Sequence, residues 1–341
     1  MSGAGAVLTL TSVMRAFLLR SYGSADALHL TKIQKPEPAA GEVLVKVHAT
    51  SVQPYDWHLM RGQPYIARLM GGGPGLRRPK ISILGADVAG TVESIGKGVT
   101  AFQPGDEVFA MPKQGGFGEY TCVPAGELAS KPRNLSFAQA AAVPMAANTA
   151  LIALGDTYPG QNVLINGASG GVGTFAVQIA RALGAKVTAV CGPRNLAMVA
   201  SLGPEEVIDR TREDFTQRRQ RYDLLLDIAG GPSTAACRRA LTPKGAHVLV
   251  GGPGGRWISP AGRMLATMLA GPFVSQRVAV ADVVRCTDNQ RNLTTLTTLL
   301  ESGEISPVID RSYPFEQIPD AIRYQEQGRS AGKVVITFGH S

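Results

Sequence analysis

Aromatic residues are scarce in this 341-residue chain: Phe, Tyr and Trp together make up 6% of it, which argues against an aromatic-packed sandwich. Cysteine is scarcer still. The four cysteines, at 122, 191, 237 and 286, form no Cys-x-x-Cys pair and no compact cluster with His, which excludes a structural zinc lobe. Sparse, unpatterned cysteines in a chain this long fit a reducing, cytoplasmic setting rather than a disulfide framework. No apolar run reaches the ~18 residues of a membrane helix. Met1 to Val13 is small and apolar but lacks a basic leading segment, so it does not read as a signal peptide. It is expected to be a disordered extension, or sequence upstream of a start at Met14. No block of like charges forms a tail.

Glycine (40) and proline (22) are plentiful but follow no regular period, which excludes a collagen-like chain. With 44% hydrophobic and 18% charged residues the composition is globular. At about 150 residues per domain, two domains are expected. Lys and Arg number 34 against 26 Asp and Glu, a net charge of +8. This excess permits a phosphorylated cofactor, a nucleic acid or an anionic membrane as partner, or simply a solvated basic surface.

The texture changes along the chain. From about 14 to 135, short strands and turns predominate. Glu42 to Ala49 alternates with period two, Val88 to Ile95 does so partly, and Phe102-Gln-Pro-Gly-Asp-Glu-Val-Phe109 sets a turn before a strand. This reads as an all-β, barrel-like unit. Residues 61–83, rich in Gly and Arg, interrupt it as a long mobile loop of the kind that often forms a lid. From about 140, strands alternate with helices. Strands are expected at Asn162–Asn166, Lys186–Cys191, Glu206–Asp209, Tyr222–Ala229 and Ala246–Gly251. A helix follows the first, its apolar face set by Val172, Phe175, Ala176, Ile179, Ala180 and Leu183. The class is α/β, with a parallel sheet covered on both faces. After 284 come a helix at Asn289–Ser302, a strand near Val308, a helix at Phe315–Gln327 and a last strand at Lys333–Phe338.

The strongest motif is Ala168-Ser169-Gly170-Gly171-Val172-Gly173, a GxGxxG with Ala at its first position. A small first residue permits the tight turn. Gly170 lets backbone N–H groups approach a pyrophosphate, and Gly173 lets helix pack on strand. The helix N-terminus then faces the phosphates. Its place between a strand and an amphipathic helix, with another strand following, makes a dinucleotide site the expected reading. An NAD enzyme offers Asp or Glu to the ribose at the end of that next strand. Here the strand ends Val190-Cys-Gly-Pro-Arg-Asn195, without a carboxylate. Arg194 and Asn195 can instead meet a 2′-phosphate, and Arg210, after the third strand, can approach the same pocket. The expected cofactor is NADP (NADPH).

Taken in order, Gly85-Ala-Asp-Val-Ala-Gly-Thr-Val92, Phe102 to Val108, Ala140-Ala-Ala-Val-Pro144, the phosphate loop, Ser312-Tyr-Pro-Phe315 and Gly332-Lys-Val-Val335 resemble the medium-chain dehydrogenase/reductase superfamily, in its zinc-free quinone oxidoreductase branch. The resemblance runs from Met14 to Phe338. It implies a GroES-like β-rich catalytic domain (14–140, completed by 285–341) and an inserted Rossmann domain (141–284), doubly wound about its parallel sheet. Zinc-dependent relatives carry Cys-x-x-Asp and Gly-His-Glu. This chain has Gln53-Pro-Tyr-Asp56 and Gly85-Ala86-Asp87 at those places, so no metal is expected. What remains is NADPH-dependent hydride transfer to a small quinone, an α,β-unsaturated carbonyl or another carbonyl, which the protein serves by orienting two rings and excluding water.

By residue matching, Gln53 and Thr149 lie near the nicotinamide, Ala229, Gly251 and Gly252 line the cofactor cleft, and Lys333 reaches it. Gln53 stands where the family usually has Asn, and Asn148 is unusual beside Thr149. Tyr55 and His58 are the candidate proton donors. The substrate pocket is expected from Tyr55, the 61–83 loop and Met264–Phe273. Phe273–Ala281 is a candidate edge strand pairing across a homodimer. The alternatives are a zinc-free NADP-linked alcohol or carbonyl dehydrogenase, and a non-catalytic nucleotide or nucleic-acid sensor. Against the last stands the absence of any recognisable nucleic-acid module.

Overall fold

In the first half, Val- and Thr-rich runs such as residues 42–52 build strands. The computed structural model describes residues 12–65, 68, 75–250, 275–281, 283–284 and 286–339. Strands β1 (Val13–Leu19) and β2 (Leu28–Gln34) form an antiparallel pair. Strand β3 (Glu42–Val52) is followed directly by helix α1 (Pro54–Arg61), then by β4 (Asp87–Ile95), β5 (Glu107–Ala110), β6 (Tyr120–Pro124) and β7 (Leu128–Ser130). The all-β expectation for this half missed α1. Its signals are local: Pro54 opens the helix, the Asp56 carboxylate accepts the Gln53 N–H at 3.0 Å, and Gly62 ends it in the left-handed region.

Helix α2 (Phe137–Ala141) starts from a Ser136/Gln139 capping box, and α3 (Pro144–Leu154) follows almost at once. The alternating half then runs β8 (Asn162–Asn166), α4 (Gly171–Ala182), β9 (Lys186–Cys191), α5 (Leu196–Ser201), β10 (Glu206–Asp209), β11 (Tyr222–Asp227), α6 (Thr234–Arg239), β12 (Leu241–Leu249) and β13 (Arg277–Val280). The chain finishes with α7 (Asn289–Glu301), β14 (Ile309–Pro314), α8 (Ile318–Glu326) and β15 (Lys333–Thr337).

Among the described residues, six strands form a parallel sheet in the order β10-β9-β8-β11-β12-β13, which is the 3-2-1-4-5-6 order of a Rossmann domain. Val163, Leu164 and Ile165 on β8 are fully buried because helices cover both faces. Each contributes roughly 1.5–3 kcal/mol by burial. β13 is the edge of this sheet. A second sheet runs β14-β15-β3-β4-β5-β7, with β6 also on β3. Its C-terminal strand β15 pairs antiparallel with β3 (Val334 opposite Val52), so the end of the chain completes the N-terminal sheet.

The two parts are tied where it matters for a ligand. The Gly332 N–H donates to the Ser169 carbonyl at 2.8 Å, which joins the C-terminal segment to the phosphate loop. Asn148 on α3 donates to Asn289 at 2.9 Å and accepts from Asn292 at 2.8 Å, so this residue anchors α3 to α7. Residues 1–11, most of 66–74 and the candidate substrate wall Met264–Phe273 lie outside the described residues, as do Gly251 and Gly252.

Candidate active site

The site begins at the topological switch point, between β8 and β11 at their carboxyl ends. There a cleft of about 630 Å³ opens between the two parts of the molecule. The phosphate loop forms one wall. Gly167, with φ at +99°, makes the turn after β8. A Cβ on Gly173 would meet the Gly167 carbonyl oxygen at 2.1 Å, so only glycine allows α4 to pack this closely on the strand end. A Cβ on Gly170 would meet nothing nearer than 3.7 Å. Ser169, Gly170, Gly171 and Val172 all face the cleft, whereas Ala168 is fully buried behind them and has a packing role.

This contrast makes a prediction. If the glycine-rich loop holds the cofactor phosphates, Gly170→Ala should keep the wild-type melting temperature yet lose at least tenfold in affinity for the nicotinamide cofactor, because the added methyl would stand in their way. Gly173→Ala should instead destabilise the fold. Paired thermal melts and cofactor titrations check this; equal destabilisation by both variants would remove Gly170 from the phosphate site.

Further along the cleft, Arg194 lies in the short turn after β9 and Arg210 follows β10. The Arg210 N–H donates to the Cys191 carbonyl at 3.0 Å, and its guanidinium lies over Gly192. Both arginines line the cleft, as does Asn195, and neither arginine forms an ion pair among the described residues. Ala229 lines it too. Arg329, from the turn after α8, is a cleft residue that sequence reasoning missed; nothing local marks it. The described lining thus carries four cationic side chains, Arg194, Arg210, Arg329 and Lys333, and no carboxylate.

Beside the glycine-rich loop, the cleft also meets a buried polar network. Lys333, 3% exposed, donates from Nζ to Gln53 Oε1 at 2.9 Å and to Asp87 Oδ2 at 3.3 Å. The Gln53 amide in turn donates from Nε2 to Asp87 Oδ2 at 3.2 Å. Its two ends are therefore fixed by a cation and an anion. Ser51 Oγ adds a bond to Asp87 at 2.6 Å, and the Met145 N–H at the start of α3 donates to Asp87 Oδ1 at 2.8 Å. Asp87 thus compensates a buried ammonium and caps a helix N-terminus together.

Thr149 is buried on α3 and donates to the Met145 carbonyl at 2.6 Å, outside the cleft lining. Tyr55 and His58, both on α1, also lie outside it. Tyr55 packs with Ala86, Met111, Met145 and Val283; burial first, and the neighbouring Asp56 second, push its hydroxyl up to about 12. His58 stacks on Trp57 at 3.8 Å, its Nδ1 is buried without a partner, and burial pushes its pKa down. Asp56, fully buried, is pushed up to about 7, chiefly by desolvation, while the N–H groups of Gln53 and Gly85 oppose the shift.

A nucleotide-sized cleft at a Rossmann switch point, bearing a phosphate loop and an ordered polar network, defines an NAD(P)H-dependent oxidoreductase. Comparison with known proteins agrees. Residues 39–133 match the family described as alcohol dehydrogenase GroES-like domain, and residues 202–336 match the one described as zinc-binding dehydrogenase. The chain is 32% identical to mouse mitochondrial NAD(P)H oxidoreductase RTN4IP1, over 96% of this chain and 89% of that one. It is also 32% identical to the Arabidopsis thaliana chloroplastic NADPH-dependent alkenal/one oxidoreductase, over 95% and 79%. The solved quinone oxidoreductase from Coxiella burnetii superposes with a TM-score of 0.80 at 26% identity, covering 96% of this chain and 99% of that one. The chain belongs to the medium-chain dehydrogenase/reductase superfamily, in its quinone oxidoreductase-like branch.

Proposed function

We propose that this chain uses NADPH to reduce a quinone or the C=C bond of an α,β-unsaturated carbonyl, and that it does so without zinc. The observation that carries the cofactor choice is the cleft lined by four cations and no carboxylate. NADPH adds a 2′-phosphate to the pyrophosphate, and an Arg pair beyond the phosphate loop suits that extra charge. A ribose-binding Asp or Glu, which would favour NAD, is absent from this lining.

The bound nicotinamide supplies the hydride. The chain's residues do the rest. Backbone N–H groups of the loop and the start of α4 hold the pyrophosphate. Gln53, locked between Lys333 and Asp87, presents a rigid edge to the cleft. The Lys333 ammonium offsets negative charge that grows on the acceptor oxygen as hydride adds to carbon. The proton that completes the reduction comes from solvent, since Tyr55 and His58, the candidate donors of the sequence, lie outside the described cleft lining. The zinc-free reading rests on the donor set. Gln53 has both amide ends engaged and Ala86 has no ligand atom, so a tetrahedral site does not fit there and no step runs through one.

The similarity to an alkenal/one oxidoreductase supports the acceptor class, and the similarity to an NAD(P)H oxidoreductase supports the cofactor type. No helix among the described residues is long and apolar enough to cross a membrane. A reducing compartment is part of the proposal, since no disulfide joins the four cysteines; the two relatives are named mitochondrial and chloroplastic.

The test is a turnover panel of quinones, enones and alcohols with both cofactors, with and without EDTA. NADPH oxidation with 1,2-naphthoquinone or an enone should proceed and survive chelation. Turnover confined to alcohols would favour the dehydrogenase reading, and turnover lost to EDTA and restored by zinc would overturn the metal-free one.

A further inference from the structure

Behind the cofactor cleft, on the far side of its floor, three side chains with metal-ligating atoms converge. Asp227 ends β11, His247 lies on β12 and Cys237 lies on the covering helix α6. The parallel register sets Leu225 opposite His247 and Asp227 opposite Leu249. With period-two alternation, Asp227 and His247 therefore face the same side of the sheet, the side that α6 covers. One carboxylate oxygen, one sulfur and one imidazole nitrogen lie within 4.8 Å of each other, and all three residues are fully buried. Among the described residues no other group of His, Cys, Asp and Glu is arranged in this way.

Three details are poorly explained by packing alone. The His247 Nε2 to Asp227 Oδ2 separation is 3.4 Å, beyond the best hydrogen-bond range of about 2.7–3.2 Å. Two ligands about 2.0–2.1 Å from a tetrahedral zinc ion are about 3.4 Å apart, so this separation also suits a coordination edge. The second detail is His247 Nδ1, which is buried without any hydrogen-bond partner. Asp227 is therefore the one polar partner that holds this buried ring among the described residues, and a cation at Nε2 would give it a second. The third is Asp227 itself. Its Oδ1 accepts from Asn166 Nδ2 and from the Gly230 N–H, both at 2.9 Å, which orients the carboxylate and leaves Oδ2 turned towards His247.

We propose that Asp227, Cys237 and His247 supply three of the four ligands of a buried zinc site, separate from the hydride-transfer site, with a water in the fourth position. The charge balance favours a divalent ion. One thiolate, one carboxylate and one neutral imidazole bring −2, so the loaded site is neutral, as a fully buried site requires. A mixed S, N and O donor set suits zinc, which is borderline-soft. On binding, the Cys237 S–H bond breaks, the sulfur–zinc bond forms and the proton leaves to solvent, with no change of oxidation state. The sulfur must close by up to about 1 Å to reach bonding distance, within the scope of a side-chain adjustment on a short helix. Because the site is sealed, the ion enters during folding or local opening. Through Asn166, which also lines the cofactor cleft, the ion would stiffen the carboxyl ends of β8 and β11.

The experiment uses the full-length protein refolded or expressed with zinc, with metal content read by elemental analysis after removal of loosely held ions. Wild type should retain about one equivalent, and Cys237→Ser less than about a fifth of that. Cobalt substitution of wild type should give a thiolate-to-cobalt charge-transfer band and tetrahedral visible bands, which needs no variant to fold. Zinc should raise the wild-type melting temperature by about 5 °C or more and leave that of Cys237→Ser unchanged. Substoichiometric zinc in wild type, a cobalt adduct without the thiolate band, or full metal content in Cys237→Ser would each overturn the site. Failure here leaves the metal-free hydride reading standing. Chelator-sensitive turnover that persists in Cys237→Ser would mark a metal elsewhere, and would count against both proposals.

Discussion

Replacing Arg194 and Arg210 together by Ala is expected to raise the KM for NADPH by about 100-fold while leaving that for NADH within about threefold. The reasoning runs from exposure to energy. Both side chains lie at the outer end of the cleft and are exposed, so water screens them. A hydrogen bond to a charged group is worth about 1.5–3 kcal/mol, and the lower figure applies here. One such contact per arginine is roughly tenfold in affinity, and two are roughly a hundredfold if they act independently. NADH has no 2′-phosphate, so it loses only the diffuse attraction of two cations. That part falls with ionic strength, which a salt series separates from direct contact. Steady-state kinetics of both single variants and the pair decide the matter. Equal loss for the two cofactors would assign the arginines to the pyrophosphate or to general attraction, and the cofactor preference would then have to come from elsewhere in the cleft.

Legibility from sequence followed sequence distance. The glycine-rich turn between strand and helix was readable because β8, the turn at Gly167 and the start of α4 are contiguous, and Gly173 answers the nearby Gly167 carbonyl; that Gly167 packs on Ala229 and Gly171 on Lys333 was not readable, because those partners are distant in sequence. The order of strand and helix from 162 onward was readable for the same reason, since apolar periodicity is a local property. Helix α1 was readable in principle from Pro54, Asp56 and Gly62, but the strong alternation on either side masked eight residues of helix. The polar network of the cleft was not readable from spacing. Lys333 and Asp87 are 246 residues apart, and Gln53 lies 34 from Asp87. Only the return of β15 onto β3 brings them together. Residue matching put Gln53 and Lys333 near the cofactor, yet gave no sign that each fixes the other. Asn148 is similar: unusual as a residue beside the cofactor, it is explained by its bonds to Asn289 and Asn292 across the α3–α7 contact.

Removing either charge of the Lys333–Asp87 pair is expected to cost about 3–5 kcal/mol of stability, and removing both to cost less than the sum. Both groups are buried, at 3% and 0% exposure, so the one left behind cannot recover its hydration. Lys333→Met strands a carboxylate that keeps three donors, Ser51, Gln53 and the Met145 N–H. Asp87→Asn strands an ammonium, and the single amide oxygen it leaves can accept from Lys333 or from the Met145 N–H but not from both, so one of the two loses its acceptor. Asp87→Asn should therefore be the worse of the two. In the double variant neither charge of the pair remains, and the coupling recovered should be about 2 kcal/mol or more, read from denaturant melts of all four proteins. Turnover should behave differently from stability. If Lys333 offsets charge on the acceptor, kcat falls in every variant that lacks it, and the double variant regains its fold without regaining its rate. A double variant that recovers both would reduce Lys333 to a structural counter-ion of Asp87, whereas strictly additive losses would show that the two charges do not act as a pair.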